Sequence, residues 1–154
     1  MYKSKSRGIA TLPTVIVIGI MALAVVVSIT AVSLNELLIS QGQAQSSNAL
    51  FYAESGARDA LTRIVRNKNY TCSSVDCYSL DYTTNGCSNG TDCAKITVSA
   101  GLGTTADPKI ITSKGIMKSS SRTVQVNVTL DNGTTTPSLQ YGEVTANTWT
   151  EVVN

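Results

Sequence analysis

Hydrophobic and polar positions fall into three regimes along this 154-residue chain. Residues 12–32 form a run of 21 whose only hydroxyl side chains are Thr14, Ser28 and Thr30, and no charged residue lies between Arg7 and Glu36. As a helix rising 1.5 Å per residue, such a run spans roughly 31 Å, the thickness of a bilayer's hydrocarbon core. A transmembrane helix over residues 9–35 is therefore expected. Beyond it, Leu50, Ala53, Ala57, Ala60, Leu61, Ile64 and Val65 recur at spacings of three and four, which marks one face of an amphipathic helix over residues 36–69.

Together these regimes predict one helix over residues 13–67, roughly 80 Å long if unbroken. The stretch Gly42-Gln43-Ala44-Gln45-Ser46-Ser47-Asn48 is polar and weakly helical, and a kink or local melting is expected there. Pro13 disfavours helical geometry in the residue before it, so Leu12 is expected to be extended and Pro13 to sit in the first turn. Glu54 precedes Arg58, and Asp59 precedes Arg63, by four residues in the favourable acid-first order. Arg63, Arg66 and Lys68 complement the negative end of the helix dipole before Asn67 and Asn69 break the pattern.

After Tyr70 the third regime is rich in Thr, Ser, Asn and Gly with short apolar alternations. Residues 95–98 and 110–112 are short strand candidates. The clearest strand is 123–130, where Val124, Val126, Val128 and Leu130 alternate with Gln125, Asn127 and Thr129. Asp131-Asn132-Gly133 reads as a turn, and a last strand is expected over 144–153 around Trp149. The fold class is α+β: a long N-terminal helix, membrane half plus amphipathic half, packed on a small antiparallel sheet, because neither could bury its apolar face alone. The exported β-rich part covers residues 70–154, with a cysteine-containing variable loop over 72–108.

Charge adds a direction to this layout. Lys3, Lys5 and Arg7 supply three of the twelve basic residues, and the remaining nine stand against ten acidic ones. Basic residues flanking an apolar segment stay in the cytoplasm, so the N-terminus is expected inside and the chain after the membrane segment outside. Without that basic flank no charge argument for nucleic acid remains.

Export to an oxidising space bears on Cys72, Cys77, Cys87 and Cys93. Their C-x4-C…C-x5-C spacing is wider than that of most four-thiolate zinc sites, and the chain has no His. Disulfides are favoured over metal. Four cysteines allow three pairings, and the sequential one, Cys72 with Cys77 and Cys87 with Cys93, is the first to consider. Lacking His, the chain has no Ser-His or Cys-His nucleophile system and no zincin motif, so no catalytic residue and no cofactor is assigned. Gly101-Leu102-Gly103 reads as a turn, and Asp76, Asp81, Asp92 and Asp107 as solvated loop carboxylates whose spacing does not match an EF-hand. Asn69, Asn89, Asn127 and Asn132 begin Asn-x-Ser/Thr triplets, of which Asn69, Asn89 and Asn132 are expected at the surface.

The apolar run is too long for a cleaved secretory signal, and by length alone a plain signal anchor would fit. The preceding segment Lys5-Ser6-Arg7-Gly8-Ile9-Ala10-Thr11-Leu12 resembles the leader of the type IV pilin-like family. The stretch from Ala49 through Ala53-Glu54-Ser55-Gly56-Ala57 is similar to the corresponding region of minor pilins and large pseudopilins. Ile111-Thr112-Ser113-Lys114-Gly115, Arg122-Thr123-Val124-Gln125-Val126 and Thr148-Trp149-Thr150-Glu151 resemble their paired strands and closing Trp segment.

The resemblance implies a leader over residues 1–8, cleavage between Gly8 and Ile9 by a prepilin peptidase, and methylation of Ile9 as the mature N-terminus. Partners implied are other pilins or pseudopilins through the N-terminal helix, the peptidase, an inner-membrane assembly platform and the lipid bilayer. The expected location is the cytoplasmic membrane, then a surface or periplasmic filament. Where the family usually carries Glu as the fifth mature residue, this chain has Pro13. By resemblance, a subunit without that Glu occupies the filament tip or initiates it. A non-polymerising, signal-anchored surface or adhesion protein is the alternative.

Overall fold

A computed structural model describes residues 11–131 and 142–152 of the chain. One helix, α1 (Thr11–Arg66), precedes five strands: β1 (Tyr78–Asp81), β2 (Cys93–Val98), β3 (Lys109–Met117), β4 (Ser120–Leu130) and β5 (Val144–Val152). The fold is α+β. Contacts divide the chain into two units, Met1–Gln41 and Gly42–Asn154, and α1 contributes to both.

In the first unit the large apolar side chains from Leu12 to Ile39 stand between 50% and 68% exposed. The helix is long and apolar enough to cross a membrane. Its hydroxyls are satisfied internally: Ser28 donates to the Ala24 carbonyl at 2.8 Å, Thr30 to Val26 at 2.9 Å and Ser33 to Ile29 at 3.1 Å. No polar side-chain hydrogen at those three positions needs a partner outside the helix. Leu12, expected to be extended, is helical. The restriction that proline places on its predecessor is a bias, and here continuous helical hydrogen bonding overrides it.

In the second unit the five strands form one antiparallel meander in the order β1-β2-β3-β4-β5. Alternation along β4 buries Val124, Val126, Val128 and Leu130, as the sequence pattern requires. Rows of inward residues run across the sheet: Val98, Ile111 and Val126 in one, Ile96, Ser113 and Val124 in the next, and Ala94 with Gly115 in a third. Against them α1 sets Ala49, Ala53, Ala57, Ala60 and Ile64, all fully buried. Leu50, Leu61, Tyr78, Leu80 and Trp149 pack around this core.

Small residues on both partners bring helix and sheet together. A Cβ built on Gly115 would collide with the backbone of α1 at the Ala49 carbonyl and the Ala53 amide. One built on Gly56 would lie 2.5 Å from Ser113 Oγ and 3.0 Å from Ala94 Cβ. The helix therefore rests directly on β2 and β3.

Several expectations are corrected here. The segment at 42–48 does not melt, because α1 is helical throughout and its side chains find partners on the sheet: Ser119 Oγ donates to Gln45 Oε1 at 3.2 Å and Arg122 Nε to Ser46 Oγ at 2.8 Å. The helix stops at Arg66 rather than residue 69, where Asn67 Oδ1 accepts the Asn69 amide at 3.1 Å and the Asn67 carbonyl accepts that of Tyr70 at 2.8 Å. Residues 72–108 are not one loop: they contain β1 and β2, with Cys72 bridged to Val98. Of the two helical ion pairs, Asp59 with Arg63 forms at 2.7 Å, whereas Arg58 lies 5.5 Å over the Trp149 ring. The turn expected at 131–133 falls, from Asn132 onward, outside the described residues.

The contact between α1 and β3 makes a sharp prediction. Gly115→Ala should lower unfolding free energy by about 3 kcal/mol through overpacking. Gly42→Ala, whose added Cβ meets nothing within 4 Å, should raise it by about 0.5–1 kcal/mol through helix propensity. Denaturant unfolding of the detergent-solubilised chain, followed by circular dichroism, measures both. Equal stability of the Gly115→Ala variant and the parent would refute the close contact.

Candidate functional site

Three groups of residues carry the chain's candidate chemistry, and the structure treats them differently. Gly8 and Ile9, the expected cleavage and methylation positions, lie outside the described residues. Pro13 is the third residue of α1 and is exposed. Its missing N–H costs nothing so near the start of the described helix. Gly19, Ala22, Ala24 and Ser28 are also exposed, and a Cβ built on Gly19 would meet no side chain or other segment within 4 Å.

The cysteines pair sequentially. Cys72 and Cys77 have Cα atoms 5.7 Å apart, and Cys87 and Cys93 5.2 Å apart, both within disulfide reach. Each bridge closes a polar loop onto the sheet. Cys93 is fully buried at the start of β2, and Cys72 exchanges backbone hydrogen bonds with Val98 at the end of the same strand. The loops flanking β1 are thus fastened at both ends of β2, where little apolar surface is available to hold them.

The four loop carboxylates act as loop braces. Asp76 accepts from Lys95 Nζ at 2.9 Å and Asp81 from the Cys87 amide at 2.7 Å. Asp107 accepts from the Leu102 amide at 3.0 Å, and Asp92 takes the hydroxyls of Thr91 and Tyr52 at 3.2 and 3.4 Å. Among the described residues no cluster of three or more His, Cys, Asp or Glu is arranged to hold a metal ion. Asn69 and Asn89 are exposed, as is Asn127 on the outer face of β4, while Asn132 lies outside the described residues.

Polar and aromatic groups that sequence reasoning did not single out tie the sheet to α1. Tyr78 donates to Asp59 Oδ2 at 3.0 Å and lies under the Arg63 guanidinium, 4.4 Å from it. Burial, then the hydrogen bond to Asp59, push the Tyr78 phenol well above its ordinary range. Tyr52 on α1 stacks on Tyr82 with ring centroids 4.3 Å apart. Lys109 is 1% exposed and donates to the Tyr70 carbonyl at 3.2 Å. Desolvation lowers its pKa, with Asp107 opposing the shift. Ser113 Oγ is buried without a hydrogen-bond partner, facing the gap left by Gly56. These contacts join residues at least fifteen positions apart, and no local spacing in the sequence could have announced them.

The apolar helix is uncovered and the sheet is braced by cross-links. No family model, curated protein or solved structure matches the chain.

Both bridges have a measurable consequence. Thiol alkylation of the protein without reductant should label none of the four cysteines, and replacing Cys72 and Cys77 together by Ala should cost about 2 kcal/mol, the loop entropy of a short cross-link. Labelling at any of the four would show that the pair concerned is open.

Proposed function

We propose that this chain is a structural subunit of a type IV pilin-like filament, either a minor pilin or a pseudopilin, exported across the cytoplasmic membrane and drawn from it into a helical assembly. The observation that carries the reading is the apolar helical stretch from Leu12 to Val32, whose large side chains are exposed, joined in one α1 to a half that packs on a five-stranded sheet. Such a surface needs a bilayer before assembly and neighbouring apolar helices after it. The leader-like Arg7-Gly8-Ile9 and the strand and Trp149 segments supply the resemblance that favours this family over other anchored proteins.

Pro13 refines the proposal. In related filaments the fifth mature residue is a Glu that offsets the N-terminal ammonium of a neighbouring subunit, since an unpaired charge in an apolar filament core is costly. Proline has no charge to offer. A subunit with Pro13 therefore fits an initiating or tip position better than the repeating shaft, in a pilus or a secretion filament alike. It is not read as an enzyme.

The test uses the chain expressed with its own prepilin peptidase and assembly apparatus. N-terminal sequencing should read from Ile9, and sheared filaments should contain only a few copies of the protein each. Pro13→Glu should raise its share along the shaft. Retention of residues 1–8 would favour the non-polymerising surface anchor, and recovery as the bulk subunit would remove the tip assignment.

A further inference from the structure

The β3–β4 hairpin turns through Lys118 and Ser119, with Met117 and Ser120 as its last pair. Lys118 has φ 52°, a left-handed value at a turn position where glycine is usual. Its amide is held at 2.9 Å by Thr91 Oγ1, which fixes a lysine at the tip in spite of the backbone strain. Beside the tip, Ser46, Ser119, Ser120, Ser121, Arg122 and Thr123 line a cleft of about 340 Å³. Neither a carboxylate nor an aromatic ring is among its lining residues.

Charge at this hairpin is one-sided. Between Ile110 and Leu130 the chain has Lys114, Lys118 and Arg122 and no acidic residue. Glu151 on β5 takes Arg122 Nη1 at 2.8 Å, which holds the guanidinium in place and offsets only one of the three positive charges. Arg122 Nε donates to Ser46 Oγ at 2.8 Å, so the guanidinium is tied on two sides at the wall of the cleft. Hydroxyls next to a positioned guanidinium make a site for tetrahedral oxyanions, whereas a sugar site would ordinarily add an aromatic platform or a carboxylate.

We propose that this cleft binds a phosphate group, and that its natural source is the headgroup of a membrane lipid. The choice of source rests on the reading of residues 9–35 as a bilayer-spanning segment. Ser46 follows Asn35 by eleven residues of α1, a rise of about 16 Å along a helix. The hairpin bound to Ser46 is thereby kept near the headgroup layer, where each nearby Lys or Arg adds to attraction toward anionic lipid. The cleft holds the exported unit against the membrane before assembly and releases it when the subunit is extracted.

The experiment uses the full-length chain in dodecyl maltoside micelles, which contain no phosphate, and reads amide hydrogen exchange over residues 118–123. Doping the micelles with phosphatidylglycerol should slow exchange there roughly tenfold, leaving residues 124–130 unchanged. Arg122→Gln should abolish the effect. Lys118→Gln should weaken it without disturbing the fold, since the fixed contact of Lys118 is through its backbone. Equal slowing by inorganic phosphate alone would keep the phosphate site and assign it to a free anion. No slowing by either would overturn the proposal. Vesicle flotation of the same protein separates the two readings: a chain that floats but gains no protection loses the site and keeps the anchor, and one protected by phosphate but not floating does the reverse.

Discussion

Everything in the sheet-bearing unit depends on how closely α1 lies on β3. At Gly115 the strand touches the helix backbone itself, at Ala49 and Ala53, and at Gly56 the helix returns the contact against Ser113 and Ala94. Two smooth surfaces at that distance leave no room for larger side chains, which explains why the helix shows Ala49, Ala53, Ala57 and Ala60 where a typical amphipathic helix would show Leu. Dispersion gained from close backbone approach replaces the area a larger side chain would bury. The larger apolar groups, Ile64, Ile96, Ile111 and the β4 valines, fill the space beside the point of contact. The orphaned hydroxyl of Ser113 is a residual cost of the same arrangement.

With so small an apolar core, other devices hold the periphery. The Cys72–Cys77 and Cys87–Cys93 bridges fasten loops that have little to bury, and Asp76, Asp81, Asp92 and Asp107 each brace a turn. Asp76 and Asp92 do so at positive φ, 51° and 50°, where Asp is among the few non-glycine residues that settle readily. The short edge strand β1 is tied to the helix by Tyr78 on Asp59, and the other edge, β5, by Trp149 under Arg58. Arg58 thus leaves the helical ion pair its spacing implied, because the face of an indole offers a cation more contact than an exposed carboxylate four residues away.

The features legible in the sequence were those with a local period. The apolar run, the apolar face of α1 and the alternation in β4 all follow from spacings of a few residues, and the structure carries each of them, whereas the sequential cysteine pairs were one of three pairings the sequence left open. What could not be read depends on contacts between distant residues. Gly42 to Asn48 looks weakly helical in isolation and remains helical because Gln45 and Ser46 find Ser119 and Arg122, more than seventy residues on. β1 lacks a clear alternating signal, and it forms because β2 presents a paired edge beside a cross-linked loop. The cleft at the β3–β4 hairpin belongs to the same class, since no window of sequence joins Ser46 to Ser121.

The apolar half of α1 poses the remaining physical question, which is how a surface so uniform could choose a neighbour. From Leu12 to Val32 its residues are apolar apart from Thr14, Ser28 and Thr30, and the hydroxyls of Ser28 and Thr30 are turned back onto their own helix. Lipid tails and other apolar helices satisfy such a surface almost equally, because neither leaves a polar group unpaired and both match its dispersion contacts. Near-equality is what the proposed passage from bilayer to filament would require, since a strong preference for lipid would trap the chain and a strong preference for helices would aggregate it in the membrane. Selection must then come from the few positions that are not interchangeable, the small residues Gly19, Ala22 and Ala24, which set how closely a neighbour can approach.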